Sequence, residues 1–238
     1  MSKIKLLCFP YAGGSARVFF DWKNDLKADI ELIPVELPGR GRRFGESFIS
    51  DFSLLVEDIY QNIKHEIHSG PYCFFGHSMG ALVAFEVMRR LKSENQPMPV
   101  CCLISGKNPP HVPVRNQIHT LGDEAFLDKI FGYGGTPAEM LDNEELASIF
   151  LPIIRSDFQA IELYKPPTDR EQIDCPFVVF YGTEDPYVST DLVKEWGLYT
   201  SSSCELYAYS GGHFFIQEQR DQVIQQINLI LDGIKSHL

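Results

Sequence analysis

The sequence lacks several features that would declare a function at once. Its 238 residues include six cysteines, Cys8, Cys73, Cys101, Cys102, Cys175 and Cys204, yet no two of them form a C-x-x-C pair. Zinc ribbons and thioredoxin-like redox chemistry are therefore without support. Most of these thiols lie in or beside apolar, strand-like runs, as buried reduced cysteines do. No stretch approaches the roughly 18 consecutive apolar residues that span a bilayer. The apolar run within Met1 to Pro10 is too short for a signal peptide, and no cleavage-like site follows it, so a cytoplasmic protein is expected. Basic residues are scarce too: 21 Lys and Arg stand against 32 Asp and Glu, a formal net charge of −11. A phosphate backbone needs a basic face, so nucleic acid is a poor partner, although a small basic patch for one phosphate is compatible with this balance. No glycine-rich loop ends in Gly-Lys-Ser/Thr, which removes the P-loop. No internal repeat is present.

What is there is an alternation. The length suits one α/β domain, and 44% hydrophobic residues can build a substantial core. Short β-like runs occur at Ile4–Phe9, Ile30–Glu36, Tyr72–Phe75, Val100–Ser105, Phe177–Tyr181 and Cys204–Tyr209. Helical patterns separate them. Phe52, Leu55, Val56, Ile59, Ile63 and Ile67 mark one apolar face, Met79–Leu91 a second helix, and Val223, Ile224, Ile227, Ile230, Leu231 and Ile234 a last one. The pattern predicts a mostly parallel central sheet flanked by helices. From about residue 107 to 167 the alternation stops. Two helical patterns appear there, around Asp123–Ile130 and Asn143–Tyr164, with Gly132–Pro137 between them, as in a helical lid inserted over an active site.

The chemistry begins at Gly76-His77-Ser78-Met79-Gly80, which follows a strand-like run and opens a helix. That is the setting of the G-x-S-x-G nucleophile elbow of the α/β-hydrolase fold. The flanking glycines let backbones approach closely, and the helix N-terminus favours developing negative charge. A serine needs a base, and in this fold the chain order is Ser, acid, His. His213 in Gly211-Gly212-His213 follows the last strand-like run. His77 is adjacent to the serine and points away from it. His65, His68 and His237 sit on predicted helices, and His111 and His119 stand at the start of the lid region, where they could line a pocket. The acid should follow the preceding strand, in Gly182-Thr183-Glu184-Asp185-Pro186; Asp185 is the choice and Glu184 its competitor. The oxyanion hole takes the amide of Met79 and a second amide from Pro10-Tyr11-Ala12-Gly13-Gly14-Ser15, with Ala12 ahead of Gly13. Arg40, Arg42 and Arg43 either meet a partner's phosphate or acidic surface or form a solvated basic loop; both stay open.

Taken together, Phe9-Pro10-Tyr11-Ala12-Gly13-Gly14-Ser15, Pro38-Gly39-Arg40, the elbow, Gly135-Thr136-Pro137, Leu151-Pro152-Ile153-Ile154-Arg155-Ser156-Asp157 and Gly211-Gly212-His213-Phe214-Phe215 resemble the type II thioesterases, over about Lys5 to Ile234. The resemblance implies one α/β-hydrolase domain over residues 1–238 with a lid at about 107–167. It implies Ser78 as nucleophile, Asp185 as acid and His213 as base. It further implies a stand-alone enzyme that edits or regenerates misacylated synthases of nonribosomal peptide or polyketide synthesis. The partner is then an acyl-loaded carrier protein, whose phosphopantetheine arm belongs to the carrier. No metal or organic cofactor is expected, and a monomer is. Two positions depart from the family pattern: Ser156 stands for the usual alanine, and Lys107-Asn108 replaces a frequent arginine. Both bear on acyl selectivity. The competing readings are a general carboxylesterase or lipase, a medium-chain thioesterase of fatty acid synthesis, a binding module with a silent triad, and a releasing domain cut from a synthase. The initial Met1 and the lack of a carrier-like module favour a separate protein.

Overall fold

Leucine, β-branched and aromatic runs become six strands. They are β1 (Ile4–Phe9), β2 (Ile30–Pro34), β3 (Tyr72–His77), β4 (Cys101–Ser105), β5 (Phe177–Gly182) and β6 (Cys204–Tyr209). The computed structural model describes residues 3–114, 117–134, 144–166, 168 and 170–236; His237 and the Gly135-Thr136-Pro137 motif lie outside them. The strands form one sheet in the order β2-β1-β3-β4-β5-β6, with every neighbouring pair parallel. β2 ends two residues earlier than the apolar run suggests, and just beyond it the Glu36 carboxylate accepts the Ala16 amide at 2.9 Å.

Along the four central strands both faces of the sheet are covered, so side chains there alternate between two cores rather than between core and water. Leu7, Phe9, Phe74, Cys102, Phe177 and Val179 face one cluster, with α1 (Phe52–Ile67) and α2 (Met79–Ser93). Leu6, Cys8, Cys73, Phe75, Leu103 and Phe180 face the other, with a 3-10 helix over Ala16–Asn24 and the C-terminal helix over Arg220–Lys235. α1 presents the face expected from its periodicity and is capped by Asp51, whose side chain accepts the Leu54 amide at 2.9 Å. The 3-10 helix turns Ala16, Phe19 and Trp22 inward at three-residue spacing, a single short stripe. All six cysteines are free thiols, five of them buried.

The connections place the site. The chain leaves β1 into the 3-10 helix on one face and leaves β3 into α2 on the opposite face. β1 and β3 are neighbours, so their departing loops diverge and open a crevice at the carboxyl ends of the strands. Over that crevice lie α3 (Asp123–Tyr133) and α4 (Glu144–Glu162), between β4 and β5, close to where two helical patterns were read. They have a small core of their own, built from Ile118, Phe126, Ile130, Leu151 and Ile154. Arg155 clasps it: the guanidinium donates to the carbonyls of His119 and Leu121 at 2.6 and 2.7 Å and to Asp123 at 2.6 Å, over the face of Phe126. Among the described residues no helix is long and apolar enough to cross a membrane.

Candidate active site

Ser78 is the turn between β3 and α2, and its backbone holds φ 55° and ψ −114°. A non-glycine residue in such a conformation costs on the order of 1–3 kcal/mol and persists only where its surroundings impose it. The impositions are visible. A Cβ on Gly76 would lie 2.2 Å from the Gly80 carbonyl oxygen, and one on Gly80 would lie 2.1 Å from the Phe9 carbonyl oxygen. No side chain but hydrogen fits at either place. The Ser78 amide donates to the Ser105 carbonyl at 2.8 Å, which fastens the turn to β4.

The loop after β6 brings His213 to this turn, and the loop after β5 brings Asp185. His213 Nδ1 donates to Asp185 Oδ2 at 2.7 Å, and Ser78 Oγ donates to His213 Nε2 at 2.9 Å. The other Asp185 oxygen accepts the Tyr187 amide at 2.8 Å, so the carboxylate is oriented before it meets the imidazole. Glu184 is exposed and lies outside this chain of bonds. A hydroxyl, imidazole and carboxylate in this order can move a proton from Oγ to Nε2 and stabilise the imidazolium that results.

The remaining histidines separate by environment. His77 is fully buried, its Nδ1 2.9 Å from Ser105 Oγ, and its ring lies 5.2 Å from that of His213. Burial first, and the nearby His213 second, hold its pKa well below the ordinary histidine value. A neutral His77 leaves room for positive charge on His213. His65 and His68 are exposed. His111 and His119, candidates for lining a pocket, do not line the cavity. His111 bridges Tyr199 and Glu195 at 2.9 Å each, and His119 pairs with Glu162.

The loop after β1 supplies amides. Gly13 N donates to Asp157 Oδ2 at 2.7 Å and is thereby occupied. The Ala12 amide has no protein acceptor among the described residues, and Met79, first residue of α2, has no intrahelical one. Asp157 comes from α4 and is held bidentately by Arg40 at 2.5 and 2.7 Å, with both side chains at least 95% buried: their exposures are 2% and 5%. Arg40 also donates to the Gly14 carbonyl at 3.1 Å. Arg40 therefore faces inward and is unavailable to any partner, which corrects its reading as a docking cation. Arg43 is engaged as well, with Asp58 and Glu46, and only Arg42 remains exposed with a single carbonyl contact. The Arg40–Asp157 pair spans 117 positions of sequence and leaves no local pattern.

Ser78, His213, Ala12 and Gly13 open into a cavity of about 940 Å³, a volume suited to a small organic ligand. α4 walls it with Leu146, Phe150, Ile154 and Phe158, every fourth residue and hence one stripe of the helix. Tyr133 and Tyr187 stack at 3.8 Å beside His213. Their position was not foreseen from the sequence.

Compared with known families, residues 4–231 match the thioesterase domain. The chain belongs to the thioesterase family. This thioesterase is 34% identical over 235 residues to the gramicidin S biosynthesis protein GrsT of Aneurinibacillus migulanus, covering 97% of this chain and 91% of that one. It is 35% identical over 227 residues to the thioesterase PikA5 of Streptomyces venezuelae, covering 95% and 80%. The crystal structure of ClbQ from the colibactin NRPS/PKS pathway covers 100% of both chains, with a TM-score of 0.94 and 33% identity. The thioesterase has the α/β-hydrolase fold that its elbow motif announced.

Proposed function

We propose that this thioesterase hydrolyses acyl or aminoacyl groups from the phosphopantetheine arm of carrier proteins, editing or regenerating misacylated synthases of nonribosomal peptide or polyketide synthesis. The observation that carries this is the Ser78–His213–Asp185 hydrogen-bond chain opening into a walled cavity, in a chain of this family. Residues 1–238 form one domain in this proposal, working as a cytoplasmic monomer, with the stretch of about 107–167 as its lid.

Ser78 Oγ attacks the thioester carbonyl as His213 Nε2 takes its proton. The Ala12 and Met79 amides hold the oxyanion, since Gly13 is committed to Asp157. Collapse breaks the carbon–sulfur bond, and the thiol leaves with the proton from His213. A thiol of pKa roughly 8.5 needs less acid assistance than an amine. Water then gives a proton to His213 and attacks the acyl-serine, and His213 returns that proton to the departing Ser78 Oγ as the acid is freed. Asp185 fixes the imidazole tautomer throughout.

The test is a carrier protein loaded with acetyl or aminoacyl phosphopantetheine, followed by intact-mass spectrometry beside a simple oxygen ester. Loss of the acyl mass with wild type, absent with Ser78→Ala and faster than ester cleavage, is the expected result. Rapid ester cleavage with an untouched carrier would assign the chain to carboxylesterase chemistry instead.

A further inference from the structure

β4 delivers the chain into the cavity at Lys107, two residues beyond the Ser105 that holds the Ser78 amide. The backbone there is pinned. The Lys107 carbonyl accepts Trp196 Nε1 at 2.8 Å, and the Asn108 side chain donates to the Tyr187 carbonyl and accepts the Ser189 amide, each at 2.9 Å. The Lys107 side chain lines both the Ser78 cavity and an adjoining pocket of about 120 Å³ walled by Leu82, Val112, Ile161 and Tyr164.

Its ammonium makes no hydrogen bond or ion pair with any described residue. Arg40, Arg155 and Arg43 are matched with Asp157, Asp123 and Asp58, and Arg17, which also lines the cavity, is exposed to solvent, so Lys107 is the less solvated of the two cations left to meet an anion there. Glu162, the carboxylate that shares both pockets with Lys107, is taken by the Ile118 and His119 amides and the His119 ring. Burial pushes the Lys107 amine down to about 8, with no carboxylate near enough to raise it again. At pH 7 it is still a cation. A partly desolvated cation without a counter-ion is costly, and an anion entering the cavity relieves that cost where a methyl group does not.

We propose that Lys107 is a specificity-determining residue that receives a carboxylate at the far end of the acyl group, so that thioesters of dicarboxylic acids are favoured over neutral acyl groups of equal length. The inference rests on the thioester-hydrolase reading above and names its substrate class. Matched pantetheine thioesters test it: glutaryl against pentanoyl, and suberyl against octanoyl, with Ser78→Ala as the blank. Wild type is expected to prefer the diacid in at least one pair by about ten- to a hundredfold in kcat/KM, the range of a charge-assisted hydrogen bond. Lys107→Met should bring that ratio to about one, Lys107→Arg should retain a preference, and Lys107→Glu should invert it. Thermal unfolding checks that each variant folds, with Lys107→Gln in reserve for Lys107→Met. A wild-type ratio near one in both pairs, or a preference that survives Lys107→Met, overturns the role of Lys107 and leaves the thioesterase standing. No Ser78-dependent cleavage of any of the four thioesters overturns both.

Discussion

The elbow after β3 and the helical stretch between β4 and β5 hold the cavity from two sides by different means. The elbow is built from backbone against backbone. Gly76 and Gly80 meet carbonyl oxygens so closely that no side chain fits, and the flanking strands are buried throughout. The helical stretch is built from side chains: a core of five residues, the Arg155 clasp and the Asp157–Arg40 pair. Backbone packing fixes where the reacting atoms sit and leaves nothing to adjust. Side-chain packing can be altered one residue at a time, so the wall facing the acyl group can be retuned while Ser78 stays in place.

The comparison breaks hardest at the elbow. Ser78→Ala should lower kcat by about 10⁶ with little change in unfolding midpoint, by the behaviour of serine hydrolases that lose their nucleophile; single-turnover deacylation reads this directly. On the opposite side, Arg40→Met leaves Asp157 buried without its cation. It should cost about 3–5 kcal/mol in urea unfolding and lower kcat more than it raises KM, because the Gly13–Gly14 loop loses its anchor. Arg43→Met, whose partners are more exposed, should cost about 1 kcal/mol or less in the same measurement.

Two smaller effects sharpen the contrast. His77 has its pKa depressed by burial, so its contribution is complete above its unfolded value of 6.5 and is lost as the pH falls below it. Unfolding free energy should decline by up to about 1.4 kcal/mol per pH unit from this residue between pH 6.5 and 5. His77→Gln should flatten that slope in urea titrations at a series of pH values. In α4, Ser156 buries its hydroxyl without a partner among the described residues. Ser156→Ala removes an unsatisfied group and improves helix propensity, so the unfolding free energy should rise by about 1 kcal/mol; a fall would mean that the hydroxyl is satisfied after all.

What could be read from the sequence follows the same division. The central strands showed because apolar runs buried on both faces are continuous, and the elbow showed because strand, glycine, serine and helix are contiguous. His213 was placed by chain order and Asp185 by its position after a core strand, and each lies where that logic put it, with Asp185 rather than Glu184 on the imidazole. The 3-10 helix over Ala16–Asn24 was missed because it is only nine residues long and turns three side chains, Ala16, Phe19 and Trp22, inward while Phe20 stays exposed. Arg40 was misread for a different reason. An arginine in a loop after a strand looks solvated until the carboxylate that meets it arrives from another part of the chain. No window of sequence contains both.

Asp157 has one consequence beyond stability. It ties the Gly13 amide, neighbour of Ala12, to the same helix whose Phe150, Ile154 and Phe158 form the acyl wall. The shape of the occupant and the aim of the oxyanion donor proposed at Ala12 are thus linked through a single carboxylate. An ill-fitting acyl group that displaces α4 also misaligns the donor, so discrimination should register in turnover rather than in affinity. An enzyme built this way can hold the wrong cargo and still decline to cut it.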